Sequence, residues 1–220
     1  MQKPLKKSKS SLHFVTFTQI SIPELNCRRL SPRSLTMEHF LSISMAVGPP
    51  LSTVQDPVLT LDLPTPDDTD RLGARLAAAF SACTDMIARD GFALRLEGNL
   101  GAGKTSLVRA LLRACGFTGP VKSPTFSLVE TYPVLGGTLA HFDFYRFEDP
   151  MEFEDAGFRD DFAPGTLAVT EWSEKAMPFL PDADFIIELD HAGYGRKARL
   201  RALTPNGVRL LEALPCDAAI

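Results

Sequence analysis

The sequence lacks the features that would mark a disulfide-stapled, zinc-clamped or membrane-spanning protein. Its four cysteines, Cys27, Cys83, Cys115 and Cys216, stand far apart without a Cys-x-x-Cys pair, which leaves no zinc ribbon and no dense disulfide framework. Two of them fall on apolar helical stripes, the pattern of buried free thiols in a reducing compartment. No run reaches the roughly 18 consecutive apolar residues that a membrane helix needs, so no membrane partner is expected and the expected location is cytoplasmic. Positive charge is also short: 23 Lys and Arg face 27 Asp and Glu, a net charge of −4. Much of what there is lies early, with Lys3, Lys6, Lys7, Lys9, Arg28, Arg29 and Arg33 against Glu24 and Glu38 in residues 1–44. The remainder is therefore more acidic than the total, and an acidic body is a poor free-standing binder of nucleic acid, whose phosphates reward clustered cations. No internal repeat is present.

Residues 1–50 are basic and Ser-rich, with no sustained helical or strand period. No clean apolar segment follows the basic start, which argues against a secretory signal. The segment reads as a disordered extension or as sequence ahead of the true start, with Met37 and Met45 as internal candidates; an organelle transit peptide is the third reading. Residues 51–210 read as one α/β domain and 211–220 as a C-terminal tail. A chain of 220 residues suffices for one substantial core.

What is present is a complete phosphate-binding loop, Gly98-Asn99-Leu100-Gly101-Ala102-Gly103-Lys104-Thr105. The glycines let backbone N–H groups turn toward phosphates without obstruction, and the following helix adds unpaired donors at its positive end. Lys104 supplies a flexible charge for β- and γ-phosphates, and the Thr105 hydroxyl is placed for Mg²⁺. Ser106 continues the same turn. The context fits: Phe92 to Leu96 reads as a buried strand, and Leu107, Val108, Leu111, Leu112 and Cys115 line one side of a helix that Gly116 ends.

Further elements follow from pattern. Val58 to Asp62 alternates like an edge strand, and Thr65-Pro66-Asp67-Asp68 is a capping box with Pro at the first helical position. Leu72, Leu76, Phe80 and Cys83 mark an amphipathic helix. After the proline-rich stretch Gly119–Phe126, residues Ser127–Val134 and Thr138–Phe147 read as a hairpin about Leu135-Gly136-Gly137. Asp149-Pro150-Met151-Glu152 is a second capping box, opening a short helix through about Phe158. Leu167–Thr170 is a compact strand and Ser173–Ala176 a short helix. Phe185–Leu189 and Arg199–Leu203 are two antiparallel strands. The expected fold is a single α/β P-loop NTPase domain with a mixed parallel and antiparallel sheet flanked by few helices.

A phosphate loop needs further groups to hold Mg²⁺ and orient water. Asp143, ending the apolar run Leu139–Phe142, is the first magnesium candidate, because a carboxylate leaving an apolar strand is costly unless it faces a cation or a cleft. Glu171, directly after the strand Leu167–Thr170, is the second, for the ion or the attacking water. Ser123 or Thr125 is placed to sense the γ-phosphate, with a plain turn as the alternative. Trp172 reads either as a stacking surface for a base or partner or as part of the core. His141 reads as a structural histidine, with a role at the site as the alternative. Arg109, Arg146, Arg196 and Arg199 are all possible charge-stabilising groups, and spacing singles out none of them.

Four blocks together resemble one family. Gly98–Thr105, Val121–Glu130, His141-Phe142-Asp143-Phe144-Tyr145-Arg146 and Glu171-Trp172-Ser173-Glu174-Lys175 are similar, in order and across roughly residues 60–203, to the bacterial TsaE (YjeE) ATPases of tRNA threonylcarbamoyladenosine biosynthesis. The resemblance implies that Lys104 and Thr105 bind phosphates and Mg²⁺, that Asp143 serves the ion, and that Glu171 serves ATP turnover. It implies that Thr125 lies in a switch-like loop and that Trp172 lies near the nucleotide or a partner surface. It also implies a weak ATPase acting on a complex of TsaB and TsaD, where TsaD modifies the adenosine beside the anticodon, so that tRNA is met only through the complex. Asn99 stands where the family often has Asp, and Ser173 where Pro is common; neither change removes a required chemical group. Two other readings of the loop are a small-molecule kinase and a nucleotide-gated, non-catalytic adaptor. An Asn-Lys-x-Asp guanine reader is absent, which disfavours GTP.

Overall fold

Short apolar runs in the centre and alternating apolar and polar residues toward the edges lay out seven strands among residues 57–215, the part of the chain that the computed structural model describes. They are β1 (Val58–Leu63), β2 (Phe92–Glu97), β3 (Val129–Val134), β4 (Gly137–Asp143), β5 (Thr166–Glu171), β6 (Phe185–Ala192) and β7 (Gly195–Ala202). They form one sheet in the order β1-β7-β6-β2-β5-β4-β3. The inner pairs β6–β2, β2–β5 and β5–β4 are parallel. The outer pairs β1–β7, β7–β6 and β4–β3 are antiparallel. This is the expected mixed sheet, with β1 at one edge. Pro133 lies on the other edge strand, where a missing N–H is tolerated. The readings placed on residues 1–50, Cys27, Cys216, Met37 and Met45 lie outside the described residues.

Helices α1 (Pro66–Ala82), α2 (Thr84–Asp90), α3 (Lys104–Ala114), α4 (Glu152–Asp155) and α5 (Pro205–Glu212) complete the regular structure with short 3-10 turns. The capping box at Thr65 is formed, with the Thr65 N–H donating to Asp68 Oδ2 at 2.8 Å. Leu72, Leu76 and Phe80 of α1 and Leu107 and Leu111 of α3 pack on Leu94 and Leu96 of β2. The two helices approach closely at Gly73, where a Cβ would stand 2.4 Å from that of Ala110, so only glycine fits. None of the helices is long and apolar enough to cross a membrane. Cys83 is buried and Cys115 half-buried, both as free thiols; burial raises both above the ordinary thiol range.

The two faces of the sheet carry different cores. On β4 and β5, Leu139, Leu167 and Val169 join the helix-covered core. Ala140, Phe142 and Ala168 face a second, aromatic cluster with Phe144, Phe147 and Phe153. Since side chains alternate along a strand, His141 and Asp143 share the face of Leu139, and Glu171 shares that of Val169. All three therefore emerge on the side of α3.

Several elements differ from expectation, among them β6, which runs on to Ala192, and β7, which starts at Gly195 rather than Arg199. The strand expected to reach Phe147 ends at Asp143, because Phe144 and Phe147 turn into the aromatic cluster. The helix expected to run to about Phe158 ends at Asp155; Gly157 is left-handed and a 3-10 turn carries Phe158 and Phe162 onto Phe142. Helix α5 was unforeseen and runs past the boundary drawn at 210, with Leu210 and Leu214 buried. Its signal is Thr204-Pro205, an N-cap followed by Pro at the first helical position.

Candidate active site

The phosphate loop joins the carboxyl end of central strand β2 to α3, the crevice where open α/β sheets bind ligands. Gly98 has φ 136°, and a Cβ there would meet Leu189 O at 2.3 Å, so the loop leaves the sheet only through glycine. Residues 98–103 make the turn, and Lys104, Thr105 and Ser106 form the first turn of α3. Leu100 at the tip is exposed and Ala102 is buried. Lys104 Nζ donates to Gly98 O at 2.5 Å and Asn99 O at 3.3 Å. Burial pushes its ammonium below the ordinary lysine range, against the pull of Glu171, Asp143 and Glu174.

The acidic groups stand beside it. Asp143 and Glu171 are register partners on adjacent parallel strands, and each is only 3% exposed. Glu171 Oε1 accepts from Thr105 Oγ1 at 2.8 Å and is bonded to His141 Nε2 at 2.9 Å. Asp143 Oδ2 accepts from both Ser123 Oγ and Thr125 Oγ1 at 2.6 Å, and its Oδ1 accepts from the Tyr145 N–H at 3.1 Å. The phosphate-loop hydroxyl thus meets Glu171, while Asp143 is tied to the 121–128 loop. Two neighbouring buried carboxylates and a hydroxyl offer the hard oxygens that Mg²⁺ prefers. Among the described residues, no group of three or more His, Cys, Asp or Glu could hold a metal ion.

Trp172 follows β5 in the left-handed region, with φ 58°, an unfavourable conformation for a bulky residue and one that collects at functional sites. The turn places its ring centroid 4.1 Å from Lys104 Nζ and 5.0 Å from that of Tyr145. Of the four arginines that spacing could not rank, Arg196 reaches the phosphate loop: its Nε donates to Ala102 O at 2.9 Å and its Nη2 to Gly101 O at 3.3 Å. Arg109 bonds Val121 O, Arg199 pairs with Glu188, and Arg146 stacks over Phe126.

A cleft of about 390 Å³ opens on the flank of the loop, lined among others by Thr65, Pro66, Gly103, Ser106, Tyr194 and Arg196. It does not touch Asp143 or Glu171; it extends from the start of α3 away from the acidic pair. Tyr194, fully exposed at the β6–β7 turn, went unread in the sequence because it lies about 90 residues from the motif and no local spacing links them.

The chain is similar to known proteins across most of this architecture. The family model "Threonylcarbamoyl adenosine biosynthesis protein TsaE" matches residues 63–199. A tRNA threonylcarbamoyladenosine biosynthesis protein TsaE from Haemophilus influenzae is 44% identical over 118 residues, covering 54% of this chain and 75% of the relative. The protein of the same name from Bacillus subtilis is 36% identical over 128 residues, covering 58% of this chain and 75% of the relative. The crystal structure of Bacillus subtilis YdiB superposes with a TM-score of 0.57 at 26% identity, covering 74% of this chain and 97% of that one. With the model spanning the loop, the acidic pair and most of the sheet, the chain belongs to the TsaE family.

Proposed function

We propose that this protein is a Mg²⁺-dependent ATPase that binds and resets the TsaB–TsaD complex during threonylcarbamoyladenosine modification of tRNA. Membership of the family supports a role in that biosynthesis. The observation that carries the enzymatic part is the convergence of Lys104, Thr105 and Glu171 on one buried patch at the start of α3. Backbone N–H groups from Gly98 to Ser106 and the Lys104 ammonium hold the phosphates, with the helix end favouring negative charge. Thr105, Glu171 and Asp143 are the residues that would hold Mg²⁺. When bound, the ion neutralises charge developing on the β- and γ-phosphate oxygens. Glu171 orients the attacking water, and Ser123 and Thr125 couple the 121–128 loop to the site through Asp143. Trp172 closes the site beside Lys104, and the flanking cleft takes the nucleoside, with Tyr194 over the base. The acidic body leaves tRNA to be contacted through the complex.

A kinase would need an acceptor pocket under a mobile lid. Between α3 and Asp143 the described residues form only a loop and the β3–β4 hairpin. Phosphate release by the purified chain, with and without the TsaB–TsaD pair, tests the proposal. Turnover should be slow alone and rise with the pair. Failure to bind ATP, or efficient transfer to a small metabolite, would sink it.

A further inference from the structure

His141 does more than fill the core. Its side chain is entirely buried, its Nε2 lies 2.9 Å from Glu171 Oε1, and its Nδ1 has no hydrogen-bond partner among the described residues. A buried N–H without an acceptor costs more than a bare ring lone pair, since the donor forfeits a strong bond to water. The arrangement therefore favours hydrogen on Nε2, which makes His141 a donor to Glu171.

The placement follows from sheet geometry. His141 pairs with Val169 and Asp143 with Glu171 across parallel β4 and β5, so His141 and Glu171 are diagonal neighbours on the α3 face. From the other side, Thr105 Oγ1 donates to the same oxygen at 2.8 Å. Two donors from different elements on one carboxylate oxygen fix the plane of the carboxylate. They also leave Oε2 without a hydrogen bond from the described residues.

We infer that His141 is a positioning residue for ATP turnover, holding Glu171 by an Nε2–H hydrogen bond so that its second oxygen is presented to the reacting side of the site. This rests on Glu171 having the role given above. The need for such a holder is physical: a glutamate has three side-chain torsions, and a carboxylate that must orient water or an ion loses rate when it rotates. Among the described residues no hydrogen bond joins His141 to Lys104 or the loop backbone, so its loss should spare nucleotide binding.

The test pairs two substitutions in the full chain with a measurement independent of activity. His141→Gln keeps an amide N–H near the position of Nε2; His141→Leu keeps bulk and removes the donor. With the TsaB–TsaD pair present, His141→Leu should lower kcat about 10- to 100-fold, the usual range for a lost supporting contact, with KM for ATP and the melting temperature close to wild type. His141→Gln should recover most of the rate. Equal loss in both variants, or a wild-type kcat in His141→Leu, would overturn the inference. Side-chain ¹⁵N NMR of the histidine signal that vanishes in His141→Gln should show hydrogen on Nε2; hydrogen on Nδ1 alone would overturn it whatever the enzyme does. Glu171→Ala separates the two claims. If that variant keeps full turnover, the role of Glu171 fails and this inference with it. If it is inactive while His141→Leu keeps the wild-type kcat, only the inference fails.

Discussion

Single residues in this site are held in environments they would avoid alone. Lys104 is buried and loses solvation, yet sits among three acidic neighbours that favour its charge. Removing it leaves those carboxylates and the phosphates without their cation, so Lys104→Ala should weaken ATP binding about 10- to 100-fold, the equivalent of one strong charge-assisted bond. Isothermal titration with ATP measures it. In the proposed site Tyr194 faces the other end of the nucleotide. Tyr194→Ala should weaken ATP binding roughly tenfold, as expected for a lost base stack, and leave inorganic tripolyphosphate binding unchanged; equal losses for both ligands would remove the cleft from the proposed site. Glu97 makes a pH prediction. Burial, with its register partner Glu188 beside it, holds its carboxyl above the ordinary range. A raised carboxyl means that the folded state binds the proton more tightly, so ionisation at neutral pH is destabilising; the cost fades as pH falls through the raised folded value and is gone below the unfolded value of about 4.5. Glu97→Gln should therefore raise the melting temperature at pH 7 and lose that advantage near pH 4.

At the scale of elements, short caps decide where chains turn. Thr204 accepts from the Gly207 N–H at 3.2 Å and donates to Asp184 Oδ1 at 2.5 Å. It thereby starts α5 and ties it to the entry of β6. Asp184 Oδ2 in turn accepts from the Ala93 N–H of β2 at 2.9 Å. Thr204→Ala should cost about 1 kcal/mol, the usual price of a lost N-cap, read from urea unfolding. The phosphate loop depends on its strand neighbours in the same way. Gly98→Ala would drive a methyl into Leu189 O, so the variant should bind ATP poorly even where it folds.

Across the molecule, the parallel centre of the sheet carries the site and the antiparallel flanks frame it. One sheet joins all seven strands, and the helix-covered core runs from α1 through β2 to α5. Denaturant unfolding should then be a single transition. Trp172 is the sole tryptophan and lies in the site, so its fluorescence reports the site while far-UV circular dichroism reports the sheet. The two curves should coincide; an earlier fluorescence transition would mean that the site melts ahead of its scaffold.

The phosphate loop was legible because its chemistry is local: glycine freedom, a lysine and a hydroxyl within eight residues need no distant partner to be recognised. The same holds for the capping box at Thr65 and the amphipathic stripe of α1. Asp143 and Glu171 were legible as carboxylates leaving apolar strands. Their division of partners was not, since whether Thr105 meets one or the other depends on strand order and register. His141 looked structural because a lone histidine on an apolar strand carries no sign of what stands diagonally across the next strand. Arg196 could not be told from three other arginines until β7 was seen to run past the phosphate loop. By itself the sequence determined the strand, glycine-rich loop and helix around Gly98–Thr105, the mixed α/β class and the two carboxylates that end their strands, all of which follow from short-range periodicity and side-chain chemistry. Only the tertiary structure decided which donor each carboxylate keeps, which arginine braces the loop and where the flanking cleft opens, because those are contacts between elements far apart in the chain.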